Sequence, residues 1–108
     1  MRILTSALAA LCLLGACEKP TQWTGLWHGP EGTFVDIAKD GGGYRITIKN
    51  LDSARTFQGT AQGNRILFER DGVAEAIRPG TGAQTGMKWL SDKKDCLIVK
   101  PGEGYCRA

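Results

Sequence analysis

Tyr44-Arg45-Ile46-Thr47-Ile48-Lys49 alternates without error between apolar and polar residues, and Asp40-Gly41-Gly42-Gly43 stands directly before it. A strict two-residue period puts Tyr44, Ile46 and Ile48 on one face of a strand and Arg45, Thr47 and Lys49 on the other. The glycines supply the positive φ of a tight hairpin at no steric cost. The combination dictates antiparallel pairing, and the same punctuation recurs along the chain. Trp23 to His28 is the first expected strand, with Trp23, Gly25 and Trp27 on one face. Gly29-Pro30-Glu31-Gly32 turns the chain, and Thr33 to Lys39 follows with Val35 and Ile37 inward. After Asn50-Leu51-Asp52-Ser53 come Ala54 to Gln62, a Gly63-Asn64 turn, Arg65 to Arg70 with Ile66 and Phe68, an Asp71-Gly72 turn, and Val73 to Arg78.

From Pro79 the alternation lapses. Gly80 to Gly86 has no apolar period and is expected as loop, while Met87 to Lys94 fits either a helical turn or a short strand. Cys96 to Lys100, the turn Pro101-Gly102-Glu103-Gly104 and a closing strand Tyr105-Cys106-Arg107 complete the chain. Seven or eight short strands must hide their edges, which a meander does by closing on itself. The expected fold is all-β: a small antiparallel up-and-down meander forming a barrel or half-barrel.

The N-terminus has another character. Met1-Arg2 is followed by Ile3 to Leu14, almost entirely apolar or small. That is the length of a signal-peptide core, short of the roughly 20 residues of a membrane-spanning helix. No polar face marks it as a helix of a folded core. Leu14-Gly15-Ala16-Cys17 resembles the bacterial lipobox. The resemblance implies cleavage before Cys17, a diacylglyceryl group on its sulfur, and acylation of the new amine by a chain such as palmitate. Two or three chains on one residue give stable anchoring. The expected organisation is a signal peptide over 1–16, a lipidated tether over 17–22 and a single barrel-like domain over 23–108. The first expected partner is therefore the membrane. Under the sorting rules of enteric lipoproteins, Glu18 in place of Asp implies the outer membrane, facing the periplasm; Lys19 keeps inner-membrane retention open.

Removing residues 1–16 takes Arg2 away and leaves 13 Lys+Arg against 11 Asp+Glu, evenly interspersed. So mild a balance gives no nucleic-acid surface. Cys12 leaves with the signal and Cys17 carries lipid, so Cys96 and Cys106 are expected to pair in an oxidising compartment. A hairpin turning at Pro101 sets Cys96 opposite Cys106 and Leu97 opposite Tyr105, within disulfide reach. Two cysteines and a distant His28 lack a fourth metal ligand, and no metal or cofactor is expected.

Catalytic constellations are missing from the sequence. His28, the single histidine, alternates outward and has no partner to orient it. Ser53 and Ser91 lie in turn-like segments, and Asp40 to Gly43 runs into a strand where a phosphate loop needs a helix. The chain is not expected to be an enzyme. Glu75 shares a face with Val73 and Ile77; either it points inward and needs a donor from Arg45, Thr47 or Lys88, or Ala74 and Ala76 take the inner face.

Gly25-Leu26-Trp27 resembles the Gly-x-Trp signature of lipocalin-like barrels. That resemblance implies that Trp27 packs across one barrel end with a basic residue of the last strand, here Arg107, against its ring. It also implies a carrier of a small apolar ligand in the barrel interior. In size the chain is similar to small lipid-anchored barrels with a C-terminal disulfide, which include inhibitors of lysozyme; their inhibitory loop motif does not occur here. Met87, Lys88, Trp89, Lys93 and Lys94 form the least scaffold-like stretch, an aromatic flanked by lysines. Such a group suits the centre of a protein interface, unless Trp89 and Leu90 plug the barrel. The functional expectation is a binding or accessory role toward an envelope protein, as inhibitor or assembly accessory, through the Trp89 region, with the carrier as its alternative.

Overall fold

The alternation becomes eight antiparallel strands in a computed structural model that describes residues 23–107. The expected signal peptide, the lipobox-like stretch with Cys17 and the expected tether lie outside the described residues. The strands are β1 (Gly25–His28), β2 (Phe34–Asp40), β3 (Gly43–Lys49), β4 (Ala54–Gln62), β5 (Arg65–Arg70), β6 (Val73–Gly80), β7 (Cys96–Lys100) and β8 (Glu103–Cys106). Each pairs with its neighbour in sequence, and β8 returns to β1, so the meander closes into a barrel.

The inward residues fill that barrel. Val35, Ile37, Tyr44, Ile46 and Ile48 from β2 and β3 meet Ile66, Phe68, Ile77, Leu97 and Tyr105 from the other walls, each at most 5% exposed. Burying each contributes about 1.5–3 kcal/mol, so this single core dominates the stability. The turns at 29–33, 50–53, 71–72 and 101–102 gather at one end, the mouth. Trp23, the turns at 41–42 and 63–64, and Arg107 mark the other end, the base.

Boundaries depart from expectation where proline and glycine act through their neighbours. β1 begins at Gly25, whose φ of 109° breaks the extended run that would have included Trp23. β6 runs through Pro79 to Gly80. Pro79 lies beyond the end of β5 and pairs with Leu97 alone, an edge-like position where a missing N–H costs little. β8 opens at Glu103 because the last turn needs only Pro101 and Gly102, and it closes at Cys106. Single 3₁₀ turns form at Pro30–Gly32, Ala83–Thr85 and Lys88–Leu90, so the Met87 to Lys94 stretch takes its helical alternative.

Pairing is uneven around the barrel. β2 and β3 share seven register pairs, Phe34↔Lys49 through Asp40↔Gly43. β6 meets β7 only at Arg78, Pro79 and Gly80, and β8 meets β1 only at His28↔Cys106. The β7–β8 hairpin thus joins the β1–β6 sheet through short ladders on both sides. Elsewhere along these seams, side chains do the joining.

Candidate functional site

Three regions bring chemistry-bearing side chains together. The first is the connection between β6 and β7, which packs outside the barrel wall. Cys96 and Cys106 sit opposite each other on the outer face, and their sulfurs are bonded, as the hairpin register requires. Leu90 and the partly buried Met87 cover this disulfide and form a second small apolar cluster. Backbone bonds fix the connection at both limbs: Gly102 N–H to Thr85 O at 2.8 Å, Gly82 N–H to Lys93 O at 2.8 Å, and Arg107 N–H to Asp95 O at 2.9 Å. Gly82 is obligatory, because a Cβ there would stand 1.7 Å from Leu90 O. Leu90 therefore does not plug the barrel; it seals the outside of the disulfide. Trp89 beside it is 74% exposed, and Lys88, Lys93 and Lys94 are exposed around it. Met87 differs from these four: it is half-buried, and its Sδ accepts from Gly104 N–H at 3.2 Å.

The second region is the mouth, a cleft of about 570 Å³ bordered by Ile48, Leu51, Arg55, Arg70, Lys100 and Tyr105. Arg70 follows Ile66 and Phe68 on the inner face of β5. Its guanidinium donates to Glu75 Oε2 from Nε at 3.0 Å and from Nη2 at 2.9 Å. It also donates to both Glu103 oxygens, at 2.9 and 2.8 Å, and Tyr105 Oη donates to Glu103 Oε2 at 3.1 Å. Glu75 is thus inward, and its donor is Arg70 rather than Arg45, Thr47 or Lys88. Phe68 pairs with Glu75 across the β5–β6 ladder, so a long side chain two residues further along β5 reaches it diagonally. The Arg70 side chain is 15% exposed, Glu75 11% and Glu103 19%.

Electrostatics follow from this enclosure. Hydrogen bonding to Glu103 leads in pushing Arg70 above the ordinary arginine range, with Glu75 adding to it against the cost of burial. Burial alone would raise the Glu103 carboxyl, but the Arg70 hydrogen bond and charge, with help from Tyr105, hold it below its ordinary value. Burial, then the Glu103 charge, pushes the Tyr105 hydroxyl well up, so it remains a donor. Arg70, from β5, ties β6 to β8 where the β6–β7 ladder has ended. At the rim Arg55 forms an exposed bidentate pair with Asp71 at 3.2 and 2.8 Å.

The third region is the base. The Arg107 guanidinium lies over the Trp27 ring at 3.7 Å from its centroid and donates to Thr24 O. Trp27 Nε1–H donates to Trp23 O at 2.9 Å. Gly25 permits this stack: besides its positive φ, a Cβ there would lie 3.3 Å from the Arg107 guanidinium. Arg107 thereby joins β1 to the chain beyond β8, where the β8–β1 ladder is a single pair. A smaller cleft of about 290 Å³ opens beside it, bordered by Trp23, Pro79, Asp95 and Leu97. Trp23 Nε1 is buried there without an acceptor among the described residues.

Sequence reasoning named the loop lysines, Trp89, Gly25, Trp27, Arg107 and the cysteines. It missed Arg70 and Glu103. The signal for Arg70 was its inward parity with Ile66 and Phe68; nothing local marked Glu103 as its partner. His28 is exposed, and no cluster of three or more metal-ligating side chains occurs among the described residues. No family model, no curated protein and no solved structure matches this chain.

Proposed function

We propose that this chain is an envelope lipoprotein, acylated at Cys17, whose barrel binds a protein partner through the Trp89 loop as an inhibitor or assembly accessory. One observation carries the reading: Trp89 is 74% exposed on a loop held rigid by three backbone anchors, an apolar seal and a disulfide. An exposed indole on a fixed frame loses little conformational entropy on binding, and aromatic anchors of this type dominate interface energies. Lys88 beside it suits an acidic surface, while Lys93 and Lys94 are offset by Asp92 and Asp95 on the same leg of the loop. The filled barrel interior favours this role over carriage of a small apolar ligand. The Trp27–Arg107 stack and Gly25 support the lipocalin-like comparison for the scaffold. Lipidation at Cys17 and an outer-membrane location facing the periplasm belong to the same proposal.

Site-specific photocrosslinking in the native envelope tests it. A photoreactive side chain at Lys88 is expected to capture a discrete protein, and one at Thr60, exposed on the far wall, is not. Trp89→Ala should weaken binding of the captured protein by about 2 kcal/mol or more, roughly thirtyfold in Kd, without changing the near-ultraviolet spectrum of the core. Equal capture from Lys88 and Thr60, or capture indifferent to Trp89→Ala, refutes the assignment.

A further inference from the structure

Charge is sorted between the two ends of the barrel. At the base, Lys39 on β2, Arg45 on β3, Arg65 on β5, Arg78 on β6 and Arg107 beyond β8 stand against one strand-end acid, Asp40. Arg45 holds that acid at 3.9 Å and Gln58 donates to it at 3.2 Å. The returning leg of the β6–β7 loop adds Lys93 and Lys94 but also Asp92 and Asp95, which cancel. Arg65 and Arg78 are exposed; Arg65 meets only the Gln62 amide oxygen, at 3.4 Å. The mouth half is the reverse. Glu31, Asp36, Asp52, Glu69, Asp71, Glu75 and Glu103 outnumber Lys49, Arg55, Arg70, Lys88 and Lys100 there, seven to five.

The base is also where residue 23 enters the barrel. Trp23 lies six positions after Cys17, a span of at most about 21 Å. Resting on the lipid anchorage proposed above, that length confines the Trp23 end near the headgroups but leaves the barrel free to tilt. We infer that the cationic base docks on an anionic phospholipid surface, directing the anionic mouth away from the bilayer. Each basic residue close to such a surface favours the docked state roughly fivefold, within a Debye length of about 10 Å at 0.1 M salt. Four exposed cations on β2, β3, β5 and β6 therefore turn a loose tether into an oriented one.

The test uses the full acylated protein reconstituted in phosphatidylcholine vesicles with and without phosphatidylglycerol. A fluorescent side chain is placed at Asn64 in the base turn or at Asp52 in the mouth turn, with an acceptor on the headgroups. Phosphatidylglycerol should raise energy transfer from Asn64 and lower it from Asp52, and molar salt should erase the difference. Arg65→Glu combined with Arg78→Glu changes four unit charges and should shift the docked-to-free ratio by roughly several hundredfold and remove the lipid dependence. Lys49→Glu, at the mouth, should leave it intact. The same transfer in both vesicle types, or a doubly reversed variant that responds as the native chain does, overturns the inference. Failure of the anchorage proposal is separately visible: an unacylated protein would not float with pure phosphatidylcholine vesicles, while its response to phosphatidylglycerol would still report on the base.

Discussion

Replacing Arg70 with Met removes one guanidinium and strands two carboxylates. Glu75 and Glu103, 11% and 19% exposed, would then face each other at the mouth with Tyr105 as the sole remaining donor of the cluster. Breaking one side of a buried ion pair costs about 3–5 kcal/mol when water is excluded; the partial exposure here places the loss near the lower end, about 3 kcal/mol. A domain of this size has a total stability of roughly 5–10 kcal/mol, so the change is a large fraction of it. Urea unfolding followed by tryptophan fluorescence reads it as a lower midpoint, with little change in slope. The triple variant Arg70→Met, Glu75→Gln, Glu103→Gln removes the stranded charges and should recover most of the loss. Asp71→Asn, which breaks the exposed Arg55 pair, should leave the midpoint nearly where it was. If the triple variant is as unstable as the single one, the damage comes from packing of the Arg70 stem, and the electrostatic account fails.

Four further outcomes are expected. Glu103 is held below its ordinary value, so its contribution is complete above the unfolded carboxyl value of about 4.3 and is lost as pH falls through the lower folded value; unfolding midpoints against pH should show this acid limb, and Glu103→Gln should flatten it. Arg107→Ala loses the stack on Trp27 and the bond to Thr24 O, for about 1–2 kcal/mol, and calorimetry showing no change would detach the stack from stability. Reduction of the Cys96–Cys106 bridge, which spans ten positions, should cost somewhat under ~3 kcal/mol, with hydrogen exchange rising first in residues 81–106. Cys17→Ser should block acylation and processing, and normal maturation with unchanged membrane retention in that variant would sink the lipoprotein proposal.

The parts of the fold that obey local periodicity were legible in advance. β4, β5 and β7 begin and end where alternation and turn residues place them, and the closing hairpin follows from the midpoint between its cysteines. What escaped depends on partners distant in sequence. Pro79 looks like a strand terminator until its position beyond the end of β5 is known. Leu90 looks like a barrel plug until the disulfide is seen to need a cover on its outer face. Local alternation leaves the face of β6 that carries Glu75 open between inward and outward, because its donor is hidden: Arg70 ends β5 in a charged pair, Glu69-Arg70, that locally reads as solvent-facing. Glu103 lies 33 residues from Arg70, and no local pattern encodes that pairing.

The short ladders explain why the side-chain clasps fall where they do. A barrel gains edge-free closure only if its last strands reach its first, and here β7 and β8 are five and four residues long. They cannot match the eight residues of β6 along its full length, so the upper half of β6 has no β7 partner. An apolar plug there would leave the gap open to water at the mouth, whereas an arginine reaches across it and satisfies an acid on each side. The lower part of β1 beyond His28 poses the same problem at the base, and Arg107 meets it with a ring face and a carbonyl. The disulfide and its loop stiffen the intervening hairpin, so each clasp acts on a rigid body and not on one strand. The exposed Trp89 rides on that same body. Its frame is therefore coupled to both seams, and loosening Arg70 or Arg107 should blunt Trp89-dependent binding by a larger factor than a charge change on the far wall at Thr60.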